Sequence, residues 1–407
     1  MKQHDVIIAG GGLNGPMLAL ALAQSGLSCA VIDAAPPRAR EAAGFDGRAY
    51  AMALASQRLM AALGLWKGLA PLAQPILGVT AAQAREGEAA SPLHLHFDSA
   101  EIEEGPVGYM VEDRHLSAAL HEAMAAAGIP LLAGCKVLDH RADTAGVVVV
   151  TDRGEITGQV LVGADGRRSP TAQRAGIRRQ GHDYGQVALV ATIGHARPHD
   201  GVAHQLFLPG GPLAILPLKG DKSCLVWSLP AAEARTIAAL PDADFLAVLA
   251  PRFGDFLGAL TLEGGRFSYP LDLTLAERYV DARLALVGDA AHGVHPIAGQ
   301  GLNIGLRDVA ALAEVLVTAH RRGEDIGADL VLARYQRWRR FDSTAMALGM
   351  DGVNWLFANE NPLLRTARGL GMGLVQAIGP LRRHFMRQAA GLKLPGPMPR
   401  LLTGQRL

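Results

Sequence analysis

The sequence predicts an α/β protein in which a doubly wound, largely parallel sheet is interrupted by an antiparallel β layer and completed late in the chain by long helices. Three observations predict it. Asp5 to Ala9 (DVIIA) is a β-branched run ending in Gly10, Gly11 and Gly12, followed by helix formers from Pro16 to Gln24 and a second apolar run, Ser28 to Asp33 (SCAVID). Continuous apolar runs on either side of a helix mark a βαβ unit whose parallel strands are buried on both faces. From about Tyr184 the pattern changes to strands without intervening long helices, at Val187 to Ile193, His204 to Leu208, Leu213 to Pro217 and Ser223 to Leu229, punctuated by Pro209-Gly210-Gly211-Pro212. That spacing reads as an antiparallel meander. Arg283 to Val287 (RLALV) returns to the buried-strand pattern, and helical regions follow from Leu302 to Val317 and from Asp329 to about Phe357.

The intervening elements are expected as helices around Ser56 to Leu63 and Asp113 to Ala127, and as strands at Leu131 to Val137, Val147 to Val150 and Val160 to Val162. A chain of 407 residues suggests two or three domains at roughly 150 residues each. Lys and Arg number 39 against 38 Asp and Glu, so there is no global field of the kind that argues for nucleic-acid binding. No apolar run reaches the roughly 18 to 20 residues of a spanning helix. The strand pattern begins at once after MKQH, and the cysteines, Cys29, Cys135 and Cys224, are few and scattered. A soluble, cytoplasmic protein is expected, with the cysteines as packing residues.

Gly10-Gly11-Gly12-Leu13-Asn14-Gly15 satisfies GxGxxG between a strand and a helix, with Asp33 eighteen residues beyond Gly15. Gly10 permits the tight turn, Gly12 lets backbone approach a pyrophosphate, and Gly15 allows close helix packing. The helix N-terminus supplies donors and a positive dipole for phosphates, and Asp33 can accept from ribose hydroxyls. Dinucleotide binding follows, without separating FAD from NAD. A second segment, Leu161 to Ser169 (LVGADGRRS), runs from a strand through Asp165-Gly166 into a short helix at Pro170 to Ala175; on its own it is an ordinary turn signal. A third, Leu286 to His292 (LVGDAAH) continuing to Pro296-Ile297-Ala298-Gly299-Gln300-Gly301-Leu302-Asn303, ends a buried strand in Asp289 and opens a helix on glycines, where negative charge can be held.

Together the three segments resemble the flavoprotein aromatic hydroxylases, the class A FAD monooxygenases built like p-hydroxybenzoate hydroxylase. Asp46-Gly47-Arg48-Ala49-Tyr50-Ala51-Met52-Ala53-Leu54 and His295 to Asp308 (HPIAGQGLNIGLRD) narrow the resemblance to the ubiquinone-biosynthesis hydroxylases. It implies an FAD-binding, Rossmann-like domain of the glutathione-reductase type, interleaved with an antiparallel β-sheet substrate domain, plus C-terminal helices. The FAD-binding parts are expected at residues 1–75, 113–183 and 276–360, substrate-domain strands at 76–112 and 184–275, and a basic helical segment at 361–407. By resemblance FAD is contacted by Gly10, Gly12, Leu13, Asn14, Gly15, Asp33, Arg48, Arg114, the backbone of Val137, Asp165, Gly166, Gly288 and Asp289. Pro296, Gly299, Gln300, Gly301, Leu302 and Asn303 line the flavin ring, the last three giving the backbone of the oxygen site. Relatives often have Glu where this chain has Asp33; either carboxylate can hold a ribose.

The implied chemistry reduces FAD with NAD(P)H, adds O2 to give a C4a-hydroperoxide, and transfers its distal oxygen to the ring of a polyprenylphenol. The cofactor carries that chemistry, and the protein positions it and excludes water. No side chain is singled out as a general base. A hydroxylase for a small soluble phenolic compound, or a flavin-binding scaffold of the biosynthetic complex, are the alternatives. No metal is expected: His94 and His96, or His292 and His295, lack a third ligand at zinc spacing. Beyond Glu360 there are eight basic residues and no acidic one, and Leu363, Ala367, Leu370, Leu374 and Ile378 share a helical face. This tail is read as a helix packed on the FAD domain, a peripheral contact with the inner membrane face or a lipid substrate, or a docking site for other biosynthetic proteins.

Overall fold

Val6, Ile7, Ile8 and Ala9 are all buried, as a strand covered on both faces requires. The structure is a computed structural model and describes residues 3–36, 47–84, 94–296, 299–358 and 361–407; Asp46, Ile297, Ala298 and Glu360 lie outside them. The chain begins β1 (Gln3–Ala9), α1 (Asn14–Ala23), β2 (Cys29–Asp33), β3 (Ala49–Ala53), α2 (Leu54–Ala62), α3 (Trp66–Leu69), β4 (Gln74–Ile76), β5 (Gly78–Gln83), β6 (Leu95–Asp98) and β7 (Gly108–Glu112). There follow α4 (Asp113–Ala126), β8 (Leu131–Ala133), β9 (Val137–Ala142), β10 (Val147–Thr151), β11 (Gly154–Gly163) and α5 (Pro170–Arg174). The middle of the chain holds β12 (Arg179–His195), β13 (Val202–Leu208), β14 (Gly211–Leu218), β15 (Lys222–Pro230), α6 (Ala231–Ala238), α7 (Asp242–Phe253) and β16 (Leu260–Ala276). It ends with β17 (Val280–Asp281), β18 (Leu284–Leu286), β19 (His292–Gly293), α8 (Gln300–Arg321), α9 (Asp329–Ala358), α10 (Pro362–Ala377) and α11 (Gly379–Ala389).

The first sheet runs β17-β18-β11-β1-β2-β8, with β9 and β10 attached beside β11. β1 pairs in parallel with β2 on one side and β11 on the other, placing Ala9 opposite both Ile32 and Gly163. The chain therefore leaves β1 in one direction and returns on the other side, and the crevice at the carboxyl ends of such strands is where ligands bind in open α/β sheets. β18 adds in parallel to β11, so this sheet gains a strand only after the excursion through the second. One large core joins it to α1, α2, α4 and α8.

The second sheet runs β19-β16-β12-β15-β14-β13-β5-β6. Most of its pairs are antiparallel, but β5 lies parallel to β13, a pairing between segments more than a hundred residues apart that the meander pattern does not contain. A third sheet, β3-β7-β4, lies between the other two; a Cβ on Gly47 would stand 2.2 Å from the Phe267 ring of β16. Two expectations need correction. The segment from Ser223 to Leu275 is not free of helices: α6 and α7 pack Ala234, Ile237, Phe245, Leu249 and Phe253 against Leu213, Leu225 and Trp227 on one face of the second sheet. The four-residue spacing of Phe245, Leu249 and Phe253, after Pro241 and two acidic residues in the first turn, is a helix signature the strand reading passed over. Nor is Leu131 to Val137 one strand; Gly134 at φ +65° turns the chain between β8 and β9. Among the described residues no helix is long and apolar enough to cross a membrane.

Candidate functional site

The glycine-rich turn sits at the carboxyl end of β1. Gly10 has φ +117°, and a Cβ there would come within 2.2 Å of the Ala164 carbonyl at the end of β11; one on Gly15 would reach within 2.0 Å of the Gly10 carbonyl. Both close approaches require glycine. A Cβ on Gly11 would stand 2.7 Å from Asp33 Oδ2, so the carboxylate at the end of β2 lies against the turn, with Oδ1 accepting from Ala35 N at 3.2 Å. α1 has Leu13 in its N-cap position, no side-chain cap and no acidic residue in its first turn; α8, capped by Gly299, likewise has neither. Opening onto one crevice with no side chain or first-turn carboxylate on their amides, the two starts leave donors for an anionic ligand.

Asn14 joins the first and third motifs. A Cβ on Gly288, at φ +61°, would lie 2.1 Å from Asn14 Nδ2, and one on Gly305 2.6 Å from the same atom. Asn14 Oδ1 is buried with no hydrogen-bond partner, an unmet acceptor at the meeting of the glycine turn, the Gly288 loop and α8. Asp289 is partly exposed, with Arg167 Nε at 3.8 Å from its Oδ2 and Arg179 Nη2 donating to its carbonyl at 2.8 Å. Arg179 also donates to Thr274 Oγ1 at 2.9 Å and to the Arg167 carbonyl. Burial pulls its guanidinium below the usual arginine range, while Asp289, Asp272 and Asp165 act the other way. Asp165 has its carboxylate committed: Oδ1 accepts from Ser169 Oγ at 2.6 Å and Oδ2 from Thr171 N at 2.8 Å. It caps α5, which leaves the backbone of its turn, packed on Gly10, to face the crevice.

β3 supplies the opposite wall. Asn303 Oδ1 accepts from Ala53 N and Ser56 Oγ, both at 2.8 Å, and its Nδ2 donates to Ala51 O at 2.9 Å and Gly299 O at 3.1 Å. Its side chain thus fastens β3 to the start of α8, and only its backbone, with Gly301 and Leu302, is presented at the helix N-terminus. Gly299 has φ +61° and a Cβ there would sit 2.9 Å from Ala51 Cβ; Pro296 and Gln300 flank it, both half-buried. Arg48 pairs with Asp113 at 3.0 Å and Arg114 with Glu112 at 2.6 Å, side by side at the joined ends of β3 and β7. Burial, then the nearby Asp113, raises the Tyr50 hydroxyl above its usual range, with Asp289 contributing. Val137 lies farther out; its carbonyl accepts from Arg174 Nη2 at 2.6 Å, near the loop in which Cys135 N donates to Asp33 O.

A family profile described as FAD binding domain matches residues 3–347. The chain belongs to that family. It is 48% identical to ubiquinone hydroxylase UbiL of Rhodospirillum rubrum over 406 residues, covering 99% of this chain and 93% of the relative. It is 37% identical to 3-demethoxyubiquinol 3-hydroxylase of Escherichia coli, over 96% of this chain and 99% of the relative. These place it in the ubiquinone-hydroxylase branch of the flavin-dependent aromatic monooxygenases. Its fold is that of p-nitrophenol 4-monooxygenase PnpA from Pseudomonas putida, with TM-score 0.80 and 18% identity over 98% of this chain and all of that one. FAD fits the residues present: a glycine turn shaped for a pyrophosphate, a carboxylate at the end of β2, two uncapped helix starts and the unmet Asn14 acceptor.

Sequence reasoning passed over Arg167, Arg179, His292 and Asp308, although three of the four fall inside the quoted motifs. Arg167 binds Asp272 Oδ1 at 2.5 Å and Val294 O at 3.2 Å, so it bridges the Asp-Gly turn, β16 and the loop before α8. Among the described residues no group of three or more His, Cys, Asp or Glu could hold a metal ion.

Proposed function

We propose that the protein hydroxylates the aromatic ring of a polyprenylphenol intermediate of ubiquinone biosynthesis, with FAD bound and NAD(P)H and O2 as co-substrates. The observation that carries the reading is the convergence of two helix N-termini, α1 and α8, with the glycine turn and Asp33 on one crevice. When bound, FAD supplies the electrons and activates the oxygen. In this reading Gly10, Gly12 and Gly15 admit the pyrophosphate, Asp33 accepts from the ribose, and Arg48 and Arg114 lie along the same cofactor. The amides of Gly301, Leu302 and Asn303 hold negative charge on the reduced ring, because they point outward from the positive end of a 22-residue helix. Asn303 fixes those amides against β3.

The substrate is placed against the inner face of the second sheet. Val190, Ala203, Leu216, Leu218, Cys224 and Val226 form there, with Ile76, Met110 and Phe267, an apolar surface next to β3. An apolar wall suits a prenylated ring and keeps water from the reacting oxygen. Detergent-dispersed prenylphenol is expected to stimulate NAD(P)H oxidation by the purified yellow protein, and a strain lacking it to accumulate a precursor one oxygen lighter. Stimulation by a small phenolic acid alone would transfer the reading to a soluble substrate, and a colourless protein with no FAD on denaturation would overturn it.

Peripheral contact with an anionic membrane surface belongs to the same proposal, supported by α10. Its apolar face points outward: Leu363, Leu370 and Leu374 are 81%, 62% and 59% exposed, while Arg368 is buried over the Phe357 ring. Trp355 on α9 and Phe385 on α11 extend the exposed apolar surface. Part of the positive charge of the tail is used internally, since Arg382 grips Glu101 at 2.8 Å and Arg387 reaches Glu104 at 3.1 Å. The contact therefore rests on the leucines and aromatics more than on charge. Leu370→Glu with Leu374→Glu is expected to abolish sedimentation with phosphatidylglycerol-containing vesicles while leaving bound flavin unchanged; unaltered sedimentation rejects the contact.

A further inference from the structure

The Asp308 carboxylate lies on α8, a little over two turns below the helix start, and is 0% exposed. Its Oδ2 accepts from Gly288 N at 3.0 Å and from His292 Nε2 at 2.5 Å; its Oδ1 accepts from Arg339 Nε at 2.8 Å. His292 Nδ1 is buried without a partner. Arg339 continues to Asp342 Oδ2 at 2.5 Å and Ser343 Oγ at 3.0 Å, and Arg307 approaches Asp342 at 3.6 Å. Two carboxylates and two guanidinium groups thus meet in one buried cluster. Burial alone would raise the Asp308 carboxyl; His292 and Arg339 outweigh it and hold the carboxyl below the usual carboxylate range.

A buried ionic cluster is weak evidence of stability, since apolar residues of the same volume often serve as well. What this cluster does that apolar residues cannot is hold a backbone amide, Gly288 N–H, in a residue at φ +61°. Gly288 and Asp289 form one edge of the cofactor crevice, and the first turn of α8 forms another. Asp308 belongs rigidly to α8 and binds the loop directly, so one carboxylate sets the distance between the two edges. Through His292 it also holds β19, which leads into the segment joining that loop to α8. From the outer side Arg179 takes the Asp289 carbonyl.

We propose that Asp308 is a positioning residue for the cofactor: it presets the spacing between the Gly288–Asp289 loop and the α8 N-terminus, with His292 as its second arm. The inference rests on the FAD reading above. Its test compares Asp308→Asn and His292→Gln with Asp342→Asn, which lies in the same buried cluster but does not touch the loop. Apoprotein is titrated with FAD, following quenching of flavin fluorescence, and the visible spectrum of the bound flavin and the Tm of the apoprotein are recorded. Asp308→Asn is expected to raise the FAD Kd at least about tenfold and His292→Gln at least about threefold, both with an altered bound-flavin spectrum, whereas Asp342→Asn lowers Tm and keeps Kd within about twofold. Equal Kd changes in Asp308→Asn and Asp342→Asn, or an unchanged Kd in Asp308→Asn, overturn the proposal in favour of a purely structural cluster. If Asp308→Asn does not fold, His292→Gln against Asp342→Asn decides by the same criterion. Wild-type protein that takes up no FAD would instead overturn the FAD reading itself.

Discussion

Gly288 shows how much of the crevice depends on single atoms. An alanine there faces both a left-handed backbone and Asn14 Nδ2 at 2.1 Å, so Gly288→Ala is expected to lower flavin bound per protein at least about fivefold, by absorbance after desalting, through strain of roughly 1 to 3 kcal/mol placed on the loop. Two histidines, His295 buried and His204 half-buried, make a pH prediction. Burial, helped by Arg167 and opposed by Asp351, pushes His295 down to about 4, with the Tyr184 ring against it; burial and His96 do the same to His204, which stacks near Phe256. Each stays neutral in the fold while the unfolded chain takes up a proton near pH 6.5, so the stability is complete above that pH and is lost as pH falls toward 4, by about 3 kcal/mol per histidine at most. His204→Phe should flatten that part of the Tm–pH curve relative to wild type; superimposable curves would reject the assignment. At this scale the glycines of the first motif were legible because they sit in one short strand–turn–helix pattern. Asp308 and Arg167 were not, since their partners lie sixteen to thirty-one and about a hundred residues away and no spacing rule connects them.

Among the elements, the buried parallel strands announce themselves: the centres of DVIIA, SCAVID and RLALV are continuous apolar runs, as strands covered on both faces require. α7 does so less, because its continuous apolar run from Phe245 to Ala250 is short enough to fit a buried strand in a region dominated by strands. It covers the face of the second sheet opposite the apolar surface beside β3. Phe245→Ala is therefore expected to cost about 3 to 5 kcal/mol by emptying a fully packed position, seen as a lower Tm, while the flavin-to-protein ratio is retained; loss of flavin in that variant would mean that the sheet and the crevice are more tightly coupled than their separate cores suggest. α10 is the reverse case. Its amphipathic period is plain in the sequence, yet the direction of its apolar face is set by which side Arg368 and Met372 occupy, a tertiary outcome the period does not contain.

For the whole molecule, the crevice is the meeting place of segments from β1, β2, β3, β11, the Gly288 loop and α8, so cofactor binding should stabilise everything at once. At a hundredfold excess over Kd, FAD is expected to add about 2.7 kcal/mol and to shift a single unfolding transition upward; a shift confined to one of two resolved transitions would contradict this. The alternation of parallel and antiparallel regions was legible because it follows local periodicity, whereas the parallel β5–β13 pair and the three-stranded sheet arise from pairings between distant, short strands. The late return of the chain also bears on how the protein is made. β18 is laid beside β11 only after the whole second sheet up to β16 has been synthesised, and the α8 amides follow later still. A nascent chain emerging from the ribosome can form the glycine turn and β2 early, but it cannot close around flavin until residues near Asn303 are out. FAD supply should thus govern the yield of newly finished chains and leave elongating ones unaffected.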